Sequence, residues 1–298
     1  MMKENTIKIF SRSFKENWDL PAVTDYNTKS TLTYGEFAQL IAKIHLFYNE
    51  IGIKRGDHIA LIGKNTPSWV ATFMATITYG AVIVPILQEF NPNDAQHIIN
   101  HSDSVLLMSS KAVFDSIDFD MLHKVRAAIS LDDVSLLAQK EGETVGEALA
   151  KVDDLFKAAY PDGFTPAHVK YPEIDNKELM VINYTSGTTG FSKGVMITGN
   201  NLAGNIVYGI DSQLCFKGSK VVSFLPLAHA YGCAFDMLCQ LAVGAHITLL
   251  GRIPSPKIIV KAMNEIHPNL VITVPLVLEK IYTKLIVPKI SKGMLRWA

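Results

Sequence analysis

The chain has 298 residues, 48% of them apolar and 19% charged, with a formal net charge of zero. That length and apolar content support a large core and exclude a disordered segment, and a balanced charge with no basic stripe argues against nucleic acid as a main partner. The three cysteines, Cys215, Cys233 and Cys239, form no C-x-x-C pair and are odd in number, so they read as buried thiols of a reducing compartment rather than as metal or redox groups.

Residues 1–10 carry charge and lack an apolar centre, unlike a signal peptide. Thr33-x-x-Glu36 predicts a capping box opening an amphipathic helix that ends near Gly52. Residues 57–62 read as a strand. From Ser68 to Gln88 there is no charge at all, a length that raises the question of a membrane span. The punctuation inside it answers otherwise. Pro67 suits a first helical turn, Gly80 a helix C-terminus, and residues 81–86 a buried strand. The plan is strand–helix–strand.

A second capping box, Thr144-x-x-Glu147, predicts one helix with Val145, Leu149, Val152, Phe156 and Ala159 along one face. Residues 160–176 hold Pro161, Pro166 and Pro172 and read as the boundary between two halves, 1–170 and 171–298. Further on, the strand–helix–strand plan repeats: a strand at 221–225, a helix from about 232 to 243 ended by Gly244, and a strand at 245–250. The stretches from Gly56 to Gly80 and from Gly218 to Gly244 are nearly equal in length. Such units build an α/β fold of parallel sheets covered by helices.

The most informative run is Tyr184-Thr-Ser-Gly-Thr-Thr-Gly-Phe-Ser-Lys-Gly194, which reads as a phosphate cradle. Gly187 and Gly190 let successive N–H groups converge on an anion. Thr185, Ser186, Thr188 and Thr189 add hydroxyl donors, and Lys193 adds a mobile charge. A Gly/Ser/Thr linker would have the same composition, but the flanks, 179–184 and 194–198, are short, apolar and strand-like. Nor is it a Walker A loop, which needs Gly-Lys-Ser/Thr opening a helix; here the lysine precedes a glycine and a strand.

Taken in order, these residues resemble the AMP-forming acyl-CoA synthetases of the adenylate-forming superfamily. The run 184–194 resembles the family's phosphate signature, with Ser192 where proline is commoner. Leu225-Pro-Leu-Ala-His-Ala-Tyr-Gly232 resembles its second motif. Val274-Pro-Leu-Val-Leu-Glu-Lys-Ile-Tyr282 is similar to a segment of the long-chain fatty acid branch, with Leu276 where a basic residue is more usual. Leu32 to Phe37, Arg55-Gly-Asp57, Asn65 and residues 80–85 fit as well.

The resemblance implies two sheets in layers, α/β/α/β/α. It also implies a two-step reaction in which a carboxylic acid, a long-chain fatty acid on this reading, attacks Mg·ATP and the acyl-adenylate then passes to coenzyme A. Positioning and charge stabilisation dominate such chemistry. By the same resemblance Thr185, Ser186, Gly187, Thr188, Thr189 and Gly190 hold the ATP phosphates and Lys193 contributes to binding them. Thr185 reaches Mg²⁺, and His229 lines or gates the channel between the acyl and nucleotide sites.

The pattern departs from the family at its end. No adenine-stacking motif, Mg²⁺-binding glutamate, ribose-binding aspartate or adenylation lysine follows Tyr282, so the chain reads as an amino-terminal fragment expected not to turn over alone. An activator of an aryl, short-chain or amino acid in the same superfamily, or a non-catalytic nucleotide-binding scaffold, are the competing expectations. The expected location is cytoplasmic, with peripheral contact at the inner membrane face for a long-chain substrate.

Overall fold

The computed structural model describes residues 4–185, 193–251, 255–288 and 290. Its strands, in chain order, are β1 (Pro21–Asp25), β2 (Thr31–Thr33), β3 (His58–Ile62), β4 (Val82–Ile86), β5 (Leu106–Ser109), β6 (Ala127–Ser130), β7 (Leu136–Gln139), β8 (Leu179–Thr185), β9 (Lys193–Thr198), β10 (Lys220–Ser223) and β11 (His246–Leu249). They form a seven-stranded sheet ordered β7-β6-β5-β3-β4-β8-β9 and a four-stranded sheet ordered β10-β11-β1-β2. Neighbours run parallel except at the β6/β7, β8/β9 and β1/β2 pairs. The two repeated units recognised in the sequence supply one parallel pair to each sheet, β3/β4 and β10/β11.

Period-two alternation sorts side chains to the two faces of each sheet. On the large sheet Ile59, Leu61, Ile83 and Val181 join a core shared with the other sheet, while Ala60, Ile62, Val84 and Ile182 join a separate outer core. The helix Pro92–His101 covers that outer face through Ala95, Ile98 and Ile99. On the small sheet Ile247 and Leu249 face the shared core, and Val222 and Leu250 face out against the helix Pro256–Ile266. Helices Thr6–Glu16, Tyr34–Glu50 and Pro67–Tyr79 fill the space between. The layering is helix, sheet, helix, sheet, helix.

The uncharged run from Ser68 to Gln88 is explained by this middle layer. Every residue from Trp69 to Thr78 is buried, because the helix packs on the helix Tyr34–Glu50 and touches both sheets. A helix apolar all round belongs in a core. Thr66 caps its start, with Oγ1 accepting from Trp69 N–H at 3.2 Å, and Gly80 ends it at φ +95°, as Gly244 (φ +83°) ends its counterpart. Among the described residues no helix is long and apolar enough to cross a membrane.

Two local expectations need correction. The Thr33 capping box is present, with Glu36 N–H donating to Thr33 Oγ1 (3.1 Å) and Thr33 N–H donating to Glu36 Oε2 (2.8 Å). At Thr144 no such cap forms. Thr144 sits at φ −114°, ψ 24° rather than in the extended region, and the Gln139 side chain accepts from Gly146 N–H at 2.9 Å in its place. The single helix expected there is two, Val145–Ala150 and Val152–Ala159. Each sheet draws strands from both sides of residue 170: β1 and β2 lie with β10 and β11, and β8 and β9 lie with β3 to β7.

Candidate functional site

The run 184–194 begins on one strand and ends on the strand paired with it. Strands β8 and β9 pair antiparallel from Leu179↔Thr198 to Thr185↔Lys193, so Thr185 and Lys193 face each other as the last pair before the loop, and both are exposed. A hydroxyl and an ammonium are thereby fixed side by side where the loop leaves the sheet. Ser186, Gly187, Thr188, Thr189 and Gly190 lie outside the described residues. At the hairpin base, Tyr184 is buried against the outer core, and its hydroxyl pairs with His101 Nδ1 at 2.7 Å.

His229 sits at the end of the loop that follows β10. It is exposed, which sets aside a packed core histidine. Its Nδ1 accepts the Tyr231 N–H at 3.3 Å. In the neutral ring that leaves the proton on Nε2, a donor rather than a base. Two asparagines hold the loop. Asn65, from the segment after β3, donates through Nδ2 to Leu225 O (2.8 Å) and accepts the Leu227 N–H (3.2 Å). Asn183 of β8 donates through Nδ2 to Ala228 O at 2.8 Å. Alternation places Asn183 on the Val181 face of β8, looking toward the other sheet. The residue before His229 is thus bonded to the strand that carries Thr185. Asn65 was legible as part of the family pattern; Asn183 and Asp236, described below, gave no sequence signal.

The helix expected at 232–243 starts differently. Gly232–Leu238 is π-helical, and α-helix follows only from Cys239 to Val243. The wider turn frees carbonyls, and Gln240 Nε2 donates to one of them, Phe235 O, at 2.9 Å. Gly232 lies so close to the histidine loop that a Cβ there would come within 2.5 Å of Pro226 O. π-Helical turns recur at functional sites. This one turns Tyr231 and Phe235 toward a cavity of about 440 Å³ that is also lined by Tyr208, Cys215, Cys239 and Ile272. That volume lies within the roughly 300–1,000 Å³ of small-molecule sites. All three thiols are free and buried; burial pushes Cys233 and Cys239 up to about 12 and raises Cys215, so Cys215 and Cys239 line the cavity as apolar groups.

On the same π-helix Asp236 is fully buried. Neither of its carboxyl oxygens has a hydrogen-bond partner among the described residues. Burial is the largest influence on its carboxyl and pushes it up to about 8. It is a neutral acid at pH 7, packed behind the histidine loop. No group of three or more His, Cys, Asp or Glu side chains that could hold a metal ion occurs among the described residues. For a Mg²⁺ ion the residues seen offer the Thr185 hydroxyl, and an ion that keeps waters and substrate phosphates as ligands needs few protein groups.

Comparison with known proteins identifies the family and the fold. The family described as AMP-binding enzyme matches residues 10–295. Long chain acyl-CoA synthetase 4 of Arabidopsis thaliana is 25% identical over 270 residues, which is 88% of this chain and 39% of that protein. A long-chain-fatty-acid–CoA ligase of Salmonella typhimurium is 23% identical over 270 residues, 83% of this chain and 46% of that one. The chain therefore spans less than half the length of these relatives. In fold it resembles the N-terminal domain of FACL13 from Mycobacterium tuberculosis, with a TM-score of 0.74 at 19% identity over 94% of this chain and 65% of that one. With the phosphate hairpin and the histidine loop joined as described, and a family match running almost from end to end, the chain belongs to the AMP-binding enzyme family.

Proposed function

We propose that this chain is the phosphate-binding and acyl-channel part of an AMP-forming acid–thiol ligase, and that its acid is a long-chain fatty acid. The observation that carries the reading is the bond between Asn183 and Ala228, which joins the strand that ends at the Thr185/Lys193 pair to the histidine loop, two residues beyond which Tyr231 begins the wall of a largely apolar cavity. One side of that junction suits a polyphosphate and the other a hydrocarbon. In the first step a carboxylate oxygen bonds to the α-phosphorus of ATP, and the bond from that phosphorus to the bridging oxygen breaks, releasing pyrophosphate. In the second the coenzyme A sulfur bonds to the acyl carbon, and AMP leaves.

The chain's own part is to hold and to exclude. Lys193 and the loop hydroxyls bind the polyphosphate, Mg²⁺ entering as its counter-ion. His229 offers a ring nitrogen two residues before the cavity wall, and Tyr231, Phe235 and Ile272 give the acid's chain an apolar surface. We place the protein in the cytoplasm, touching the membrane only peripherally. Since the chain spans less than half of its relatives, binding is the direct test. Calorimetric titration with Mg·ATP is expected to give saturable heat that disappears in a Gly187→Ala, Gly190→Ala variant. Equal heat in both chains would sink the reading. Competition by fatty acids of increasing length against a fluorescent long-chain acid then tests the acid class; displacement that weakens with chain length would rule out the long-chain assignment.

A further inference from the structure

We infer that Asn183 is a positioning residue that makes the histidine loop respond to what the phosphate hairpin binds. The inference rests on the ligase reading above and concerns a residue that touches neither ATP nor acid. Among the described residues, two asparagine side chains tether the loop from Leu225 to His229 to the rest of the fold, and they differ in where they lead. Asn65 pairs with Leu225 O and Leu227 N–H, and its own N–H donates to Gly251 O at 3.1 Å. That tether fixes the start of the loop to rigid structure beside β11. Asn183 holds the other end, at Ala228 O, and stands two positions before Thr185 on the strand that runs into the phosphate loop. Both asparagines are buried, Asn65 7% exposed and Asn183 8%, so neither amide has water as an alternative partner.

The consequence is mechanical. A strand clamped by a bound polyphosphate at one end transmits its displacement through a rigid hydrogen bond to the carbonyl next to His229. A displaced peptide at Ala228 reorients the following residue. The Asn65 tether sits too far toward the start of the loop to do this, which makes it the natural control. Satisfying a buried carbonyl is a sufficient reason for an asparagine at 183, so the test must read more than stability.

The 298-residue chain, labelled with ¹⁵N, is titrated with Mg·ATP while the imidazole resonances are followed, with His229 assigned from a His229→Gln variant. The wild-type chain is expected to shift its His229 signals in step with the calorimetric binding curve. Asn183→Ala should still bind Mg·ATP, with its His229 response reduced by roughly threefold or more, whereas Asn65→Ala should keep the full response although it also loses loop hydrogen bonds. If Asn183→Ala does not fold, Asn183→Asp, which keeps the shape and lacks the donated proton, replaces it. An unchanged response in the Asn183 variant, or an equal loss in both variants, overturns the inference. Heat without any His229 shift in the wild-type chain overturns it too, while leaving the ligase reading standing; no heat at all overturns both.

Discussion

Asp236 makes the stability of this protein depend on pH in a direction that most carboxylates do not. Its carboxyl is pushed from 3.8 up to about 8. Between about pH 4 and pH 8 the unfolded chain gives up a proton that the folded chain keeps, so stability falls as pH rises through that window. Desolvation pushes His45, half-buried and bonded to Ala75 O, the other way, from 6.5 down to about 4. Between pH 4 and 6.5 the unfolded chain binds the proton that the folded chain refuses, and stability rises with pH. Of these two groups only Asp236 acts above pH 6.5. Urea midpoints measured from pH 6.5 to 8 should therefore fall for the wild-type chain and stay nearly flat for Asp236→Asn. Parallel falls would show that Asp236 titrates normally. Lys193 belongs to the same scale. It is exposed at the hairpin end, so Lys193→Ala should leave the melting temperature unchanged while weakening Mg·ATP binding by about tenfold to a hundredfold, the usual loss for a charged hydrogen bond of about 1.5–3 kcal/mol. A calorimetric titration reads both the affinity and its salt dependence.

At the scale of single elements, the start of the π-helix is the tightest point near the site. Replacing Gly232 with alanine puts a methyl group where Pro226 O now lies, and the helix or the loop must retreat. The expected cost is about 1–3 kcal/mol in urea denaturation; a loss below a few tenths would mean that the loop yields freely. This scale is also where the sequence was most and least legible. The Thr33/Glu36 box, Pro67, Gly80 and Gly244 act through bonds or torsions within a few residues, so their sequence signal is complete. At Thr144 the same signal misled, because Gln139 competes for the helix N-terminus from a neighbouring strand. The π-helical turn was invisible, since Gly232 to Leu238 carries ordinary helical periodicity. Asn183 could not be singled out either: one amide in an apolar strand gains its meaning only from Ala228, which the fold brings beside it.

For the whole molecule, the layering was readable and the strand pairing was not. Repeated strand–helix–strand units announce parallel sheets covered by helices, and the family resemblance implied their layering. Nothing local says that β1 and β2 join β10 and β11, because such pairing is decided by long-range packing rather than by neighbours in sequence. The two sheets share one core, with Val23, Ile59, Phe73 and Leu249 in the same cluster. Cutting the chain between residues 170 and 171 should accordingly leave two pieces that are unfolded when separate and recover structure when mixed, as judged by circular dichroism. Cooperative folding of residues 171–298 alone would contradict that interlocking.

The same interlocking has a temporal side. Val23 of β1 lies in register with Ile247 of β11, so β1 leaves the ribosome long before the strand it pairs with. At about 5–20 residues per second the wait is roughly ten to forty-five seconds. During it β1 has only β2 to lean on, and a two-stranded hairpin is marginal in water by itself. The nascent chain is therefore a natural client for a holding chaperone until β11 emerges. Chains stalled before His246 should be far more sensitive to protease than chains stalled after Leu250.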